Sequence, residues 1–170
     1  MTIHSSDPFA TPEGERSPVR RLRGRLPAAV TLWTAYQDGR PVGLTVSSTV
    51  VIDGDPGRLL GVLDDESELY EAITAGRRFA VIPLGKADSQ VADRFAGLLP
   101  APGGPFAGGE WEHTEFGPVR PGQTWAGCGL DEARELGWGV LVEATIARVE
   151  LAPEPEEPLL HHRGRYVRLG

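Results

Sequence analysis

Threonine and serine recur through residues 42–52, VGLTVSSTVVI, in a pattern suited to holding a flat ligand. On a strand, side chains alternate between two faces. Thr45, Ser47 and Thr49 then share one face with Gly43 and Val51. Val42, Leu44, Val46, Val50 and Ile52 share the other with Ser48. The second face can serve a core. The first offers hydroxyl donors and little bulk, so a planar group can approach the backbone there. By pattern alone, a strand face turned to solvent is the commoner reason for such residues.

Other reactive side chains give weaker signals. Cys128 is the single cysteine, and nothing near it in the chain identifies a base. A lone cysteine beside a glycine is more often a small packed residue than a nucleophile. Asp64, Asp65 and Glu66 suggest acid–base chemistry or a cation site. The start of a helix explains them better, because carboxylates favour that end of the helix dipole. His161 and His162 are adjacent, so on a strand they point to opposite faces and cannot chelate together; no metal site is expected. The glycine fingerprints of dinucleotide and mononucleotide phosphate loops are absent.

The elements that must position these residues read mostly as strands. Residues 28–36, AAVTLWTAY, form a first strand, and residues 42–52 return as a second. Asp38-Gly39 between them is a strong hairpin turn pair. Residues 58–63 form a short buried strand. Residues 65–76 form a helix capped by Asp65 or Ser67, with Leu69, Ala72 and Ile73 inward. Residues 79–84 form another strand, with Pro83 marking an edge or bulge, and residues 88–96 a second helix with Val91 and Phe95 inward. Residues 98–122 are a long Gly/Pro-rich stretch carrying Phe106, Trp111 and Phe116. It is a lid, a dimer arm or a surface excursion pinned by its aromatics. Residues 123–130 and 137–151 form further strands, and residues 159–169 one more. The sum is a mainly β chain, fitting an antiparallel barrel with short helical insertions.

Composition agrees. Of 170 residues, 22 are Gly and 15 Pro, which favours many turns and hence many strands. The net charge of −7 opposes general nucleic-acid binding, which needs a basic face. Arg20, Arg21, Arg23 and Arg25 cluster locally and read as a solvated arm or the edge of a first strand. Residues 1–18 read as a flexible N-terminal tail and residues 19–170 as one domain. The opening residues lack the charged and apolar regions of a signal peptide, and no run is apolar enough to span a membrane. With one cysteine, the expectation is a soluble cytoplasmic protein.

The chain resembles the flavin reductase-like, FMN-binding split-barrel family. The resemblance rests on LPAAVTLWTA at 26–35, DGRPVGLTVSS at 38–48, GRRFAVIPL at 76–84, DRFAG at 93–97 and PLLHHRGRY at 158–166, in that order. It implies an antiparallel split β-barrel of Greek-key type, a homodimer, and a flavin near the subunit interface. FMN is the expected cofactor, with FAD as the alternative, and NADH or NADPH as hydride donor. The activity implied is flavin reduction, feeding reduced flavin to a partner monooxygenase. In relatives, the segment matching Thr45, Val46, Ser47 and Ser48 holds the flavin phosphate and ribityl chain. The segment matching Thr31, Leu32, Trp33 and Thr34 lies along the isoalloxazine ring. Leu63, Asp64 and Ser67 fall where further phosphate contacts are made, and Arg77 and Phe79 border the site.

Two departures matter. Many relatives carry Gly-Asp-His where this chain has Gly137-Trp138-Gly139, so a histidine beside the reacting rings is missing. His161 and Tyr166 are the candidates to replace it. Asp64, Asp65 and Glu66 also put negative charge where a phosphate is expected, which Arg58, Arg77 or Lys86 would have to offset. No catalytic residue is assigned. The alternatives are a non-catalytic FMN-binding protein or electron carrier, with Trp138 either filling the nicotinamide side or packing in the core, and a dimeric interaction module that has lost flavin.

Overall fold

The computed structural model describes residues 15–170; most of the expected tail lies outside the described residues. The arginine cluster is a helix rather than an arm or a strand edge. In α1 (Pro18–Arg25), Ser17 caps the start by accepting from the Arg20 amide at 3.2 Å, and Pro18 takes the first turn. Arg23 and Arg25 sit in the last turn, where the dipole favours cations. None of its residues is buried.

The first expected strand breaks at Val30 into β1 (Ala28–Ala29) and β2 (Thr31–Gln37). β2 pairs with β3 (Arg40–Val46) through a tight turn in which Asp38 and Gly39 both take positive φ, 51° and 77°. β3 stops at Val46 instead of running on to Ile52. The reason is the hydroxyl run itself. The Ser48 hydroxyl accepts from the Val62 amide and donates to its carbonyl, both at 3.0 Å. Thr49 Oγ1 meets Thr31 Oγ1 at 2.9 Å and accepts from the Trp33 indole at 3.1 Å. Such side-chain bonds compete with a strand ladder and turn the chain away. It re-enters as β4 (Val50–Ile52), which pairs with β5 (Arg58–Leu63). Val50, Val51 and Ile52 are all exposed, so Val50 and Ile52 do not join the core as expected.

The main sheet is antiparallel and includes β6 (Arg78–Pro83), β9 (Trp125–Leu136) and β10 (Gly139–Glu150), in the order β3-β2-β6-β9-β10-β5-β4. α2 (Glu68–Gly76) follows β5 and is capped by Ser67, not Asp65. A 3₁₀ turn (Lys86–Asp88) leads into α3 (Ser89–Phe95), whose buried residues are Ala92 and Phe95. Residues 98–122 are an ordered excursion that includes β7 (Glu112–His113) and β8 (Pro118–Val119). Phe106 and Trp111 pin it edge-on to Phe95, at 4.8 and 5.7 Å between ring centroids. The C-terminal segment is a hairpin, not a single strand. β11 (Leu160–His162) and β12 (Arg165–Val167) are joined by Arg163 and Gly164, both at positive φ.

Two apolar clusters fill the interior. In one, Trp33 stacks on Phe79 at 4.8 Å, with Leu59, Leu63, Ile73 and Val142 around them. Gly61 makes this possible: a Cβ there would lie 2.4 Å from Cη2 of Trp33. The other holds Leu32, Ile82, Phe95, Phe116 and Trp125. Among the described residues, no helix is long and apolar enough to cross a membrane.

Candidate functional site

A cavity of about 250 Å³ lies where β3, α3 and the C-terminal hairpin meet. Val30, Thr45 and Ser47 form one wall. Asp93, Ala96 and Leu98 form a second, and His161, Gly164, Arg165 and Tyr166 a third. Some of its polar groups are already committed. Thr45 donates its hydroxyl to the Ala92 carbonyl at 2.6 Å, tying β3 to α3. The Tyr166 hydroxyl donates to the Asp93 carboxylate, tying the hairpin to the same helix. Burial holds the Tyr166 hydroxyl well above its ordinary pKa, and Asp93 reinforces this, so the phenol keeps its proton. His161 meets the Tyr166 ring edge-on at 5.9 Å. Burial, with the positive charge of Arg23, lowers its pKa against the opposing pull of Asp93, so it is neutral at pH 7.

Two polar groups remain open toward the cavity. Among the described residues, the side chains of Ser47 and His161 make no hydrogen bond, while Arg165 pairs with His162 across the hairpin, on the face opposite Tyr166, and is exposed. A hydroxyl and a neutral imidazole therefore face a space otherwise walled by Val30, Ala96 and Leu98. That set suits the edge of a planar heterocycle rich in carbonyl groups.

The structure brings Thr45, Ser47 and Tyr166 together at this cavity. The other expected site residues lie elsewhere. Thr31, Leu32, Trp33, Thr34 and Val46 are buried. Thr31 donates to the Val46 carbonyl and Thr34 to the Pro118 carbonyl, each at 2.7 Å, while the Trp33 indole donates to the hydroxyls of Thr31 and Thr49, each at 3.1 Å. Leu63 and Phe79 belong to the core cluster around Trp33. Ser48 bridges to β5, as described above. The Ser67 hydroxyl is spent on the Asp64 carbonyl and the Tyr70 amide, and the Asp64 carboxylate accepts from the Glu66 amide. Arg77, in a left-handed conformation at the end of α2, donates to the Leu130 carbonyl.

The cations expected to offset the acidic run have other partners. Arg58 pairs with Asp131 at 2.9 Å and Lys86 with Glu157 at 2.5 Å. Trp138 stands at the β9–β10 turn with 89% of its surface exposed, so it does not pack in the core, and it does not line the cavity. Cys128 is buried in the sheet, and desolvation pushes its thiol up to about 12, which makes it a packing residue rather than a nucleophile. Among the described residues, no group of His, Cys, Asp or Glu is arranged to hold a metal. Sequence reasoning did not single out Asp93 or Arg165. Asp93 meets Tyr166 across 73 positions of chain, and no local pattern marks such a pair.

A family model described as "Flavin reductase like domain" matches residues 23–170. The chain belongs to the flavin reductase-like family. An FMN reductase (NADH) of Methylorubrum extorquens is 32% identical over 168 residues, covering 97% of this chain and 94% of that one. The reductase component of a 4-nitrophenol 4-monooxygenase/4-nitrocatechol 2-monooxygenase of Rhodococcus opacus is 27% identical over 154 residues, covering 89% and 80%. Among solved structures, nitrilotriacetate monooxygenase component B from Mycobacterium thermoresistibile superposes with a TM-score of 0.81 at 28% identity, over 89% of this chain and 85% of that one. The antiparallel, mainly β architecture of this flavin reductase-like chain is thus that of its structural neighbours.

Proposed function

We propose that this chain is a flavin reductase of a two-component monooxygenase, taking hydride from NADH or NADPH and passing reduced FMN, or FAD, to a partner enzyme. The observation that carries this reading is the cavity beside Ser47. Open polar groups from two separate parts of the chain converge there on an otherwise apolar space, inside a chain whose relatives include named FMN reductases. When bound, the flavin supplies the redox chemistry, accepting a hydride from the nicotinamide ring. The protein's own residues bind, orient and shield. Val30, Ala96 and Leu98 keep water from the ring, and Ser47 and His161 offer partners to its heteroatoms.

The residues fit the ring end of the cofactor. The start of α2 does not fit the phosphate end, because Ser67 is committed to the helix cap and Asp64, Asp65 and Glu66 surround it. We place the phosphate outside that turn. The finer architecture in this reading is a split barrel, supported by the bonds from Ser48, just beyond β3, to Val62 of β5, outside the ladder order. The working unit is a homodimer. Its support is the exposed apolar strip Val50-Val51-Ile52, which follows Ser47 and Ser48 in the chain; in this reading the subunit contact lies beside the site. The cytoplasm, where the reduced nicotinamide pool lies, is its place of action.

The test is an anaerobic visible spectrum of the protein with added FMN, followed by NADH and NADPH. Bleaching of bound flavin by either donor is the expected result. A second reading rests on Gly137-Trp138-Gly139, which leaves the family histidine without a counterpart. Flavin that binds but stays oxidised with both donors makes the chain a flavin carrier. A chain that takes up no flavin overturns both readings and leaves an interaction module.

A further inference from the structure

We propose that Asp93 sets the redox preference of the cavity: its carboxylate makes reduced flavin bind more weakly than oxidised flavin, so that reduction itself loosens the product. The inference rests on the flavin reading above and assigns one residue of that site. Three observations carry it. Of the residues lining the cavity, Asp93 alone carries a carboxylate, and it is half-buried in a lining that includes Val30, Ala96 and Leu98. Among the described residues it makes no salt bridge. The Tyr166 hydroxyl, itself part of the lining, donates to Oδ1 of Asp93 and fixes the carboxylate at the wall without neutralising it.

The placement follows from α3. Ala92 and Phe95 turn into the core, which leaves Asp93 and Ala96, three positions apart, on the cavity side. Thr45 holds the helix to β3 through the Ala92 carbonyl, and Tyr166 holds it to the hairpin. The negative charge is felt locally, because Asp93 favours the proton on both His161 and the Tyr166 phenol. Nearby cations do not cancel it. Arg165 pairs with His162 on the opposite face of the hairpin and is exposed, and Arg23 on α1 is exposed to screening by water and salt. Hydride brings two electrons and one proton to the flavin, so its ring gains one negative charge while the nicotinamide ring gains one positive charge. At neutral pH the reduced ring keeps that charge on its pyrimidine end. A like charge at the wall disfavours it, and the neutral oxidised ring escapes that repulsion.

The experiment measures affinity for oxidised FMN and for dithionite-reduced FMN, anaerobically and without nicotinamide, in the unaltered protein and in Asp93→Asn, Asp93→Glu and Tyr166→Phe. The phosphate of FMN is common to both redox states and cancels in the ratio. The unaltered protein binds reduced FMN more weakly than oxidised FMN. In Asp93→Asn the ratio of reduced to oxidised affinity rises about three- to tenfold, the size of a unit-charge repulsion across about 6 Å at an effective dielectric of about 40–80. That equals a rise of about 15–30 mV in the two-electron potential of bound FMN. Asp93→Glu keeps the charge and most of the original ratio. Tyr166→Phe removes the hydroxyl and leaves the charge, so the ratio does not rise. A rise there equal to that of Asp93→Asn overturns the proposal, because the bond and not the charge would then be at work. Circular dichroism confirms that the variants are folded. An unchanged ratio in Asp93→Asn, or an unaltered protein that prefers reduced FMN, overturns the assignment while leaving the flavin reading intact. No FMN uptake by the unaltered protein overturns both.

Discussion

Gly61→Ala tests how the sheet rolls around its largest side chain. The added Cβ would lie 2.4 Å from Cη2 and 2.5 Å from Cζ2 of Trp33, where about 3.5–4 Å is comfortable. The indole cannot swing aside freely. It is stacked on Phe79 with an interplanar angle of 16°, and its N–H is shared by the Thr31 and Thr49 hydroxyls. Overpacking of this kind costs about 1–3 kcal/mol. Tilting the ring off its hydroxyl partners adds about 1 kcal/mol. The expected total of about 2–4 kcal/mol lowers the urea midpoint without changing the slope. Trp33→Phe shortens the side chain at the point of contact, so Gly61→Ala made on that background loses most of its cost. The double-mutant cycle should return a coupling of at least about 1 kcal/mol. Because Thr31 and Thr49 flank Ser47 and Ser48, Gly61→Ala also weakens FMN uptake several-fold. Additive single and double mutants, or a Gly61→Ala variant within about 0.5 kcal/mol of the unaltered protein, would refute this account of the core.

Two further outcomes follow from the charges. FMN binds no more than a few-fold tighter than riboflavin, and added salt raises the FMN-to-riboflavin ratio by screening the carboxylates at α2; equilibrium titrations at low and high salt check this, and an FMN preference above about a hundredfold refutes it. Cys128 resists thiol reagents in the folded protein at pH 8 and reacts once urea unfolds it. Its unfolded thiol ionises near 8.5 and its native thiol near 12. Its contribution to stability is therefore fully present below about pH 8.5 and lost as pH rises toward about 12, and Cys128→Ala removes that part of the decline.

What could be read from the sequence were the features that act locally. Asp38-Gly39 fixed a hairpin because two positive-φ positions leave few alternatives, and the period of Leu69, Ala72 and Ile73 gave the buried face of α2. The order of motif strings gave the family. What was not legible depended on partners far along the chain. Nothing in VGLTVSSTVVI says that Ser48 will bond to Val62 and end the strand, so one expected strand became two at distant places in the sheet. The arginine cluster lacks a buried stripe, so periodicity could not reveal α1, yet Ser17 and Pro18 form a readable cap. Trp33 looked like a ligand neighbour from the family pattern. The Gly61 opposite it, which lets it fill the core, is a signal only once the pairing is known.

The same distance effect shapes the site. A hydroxyl on a strand is available to a ligand only if the fold has not already used it. Thr31, Thr34, Thr45, Thr49, Ser48 and Ser67 all look alike in sequence, and each is committed to a bond within the chain. Ser47 is left open because its neighbours took the structural roles: Thr45 ties β3 to α3, and Ser48 ties the segment after β3 to β5. The charge pattern follows the same logic. The acidic start of α2 repels a phosphate, and the expected compensating cations are engaged elsewhere. Affinity in such a site comes mainly from the ring end of the cofactor. A reductase that must release its reduced flavin to another enzyme works better with a hold on the ring than with a clamp at both ends. Residence time is set largely by how many strong contacts must break at once.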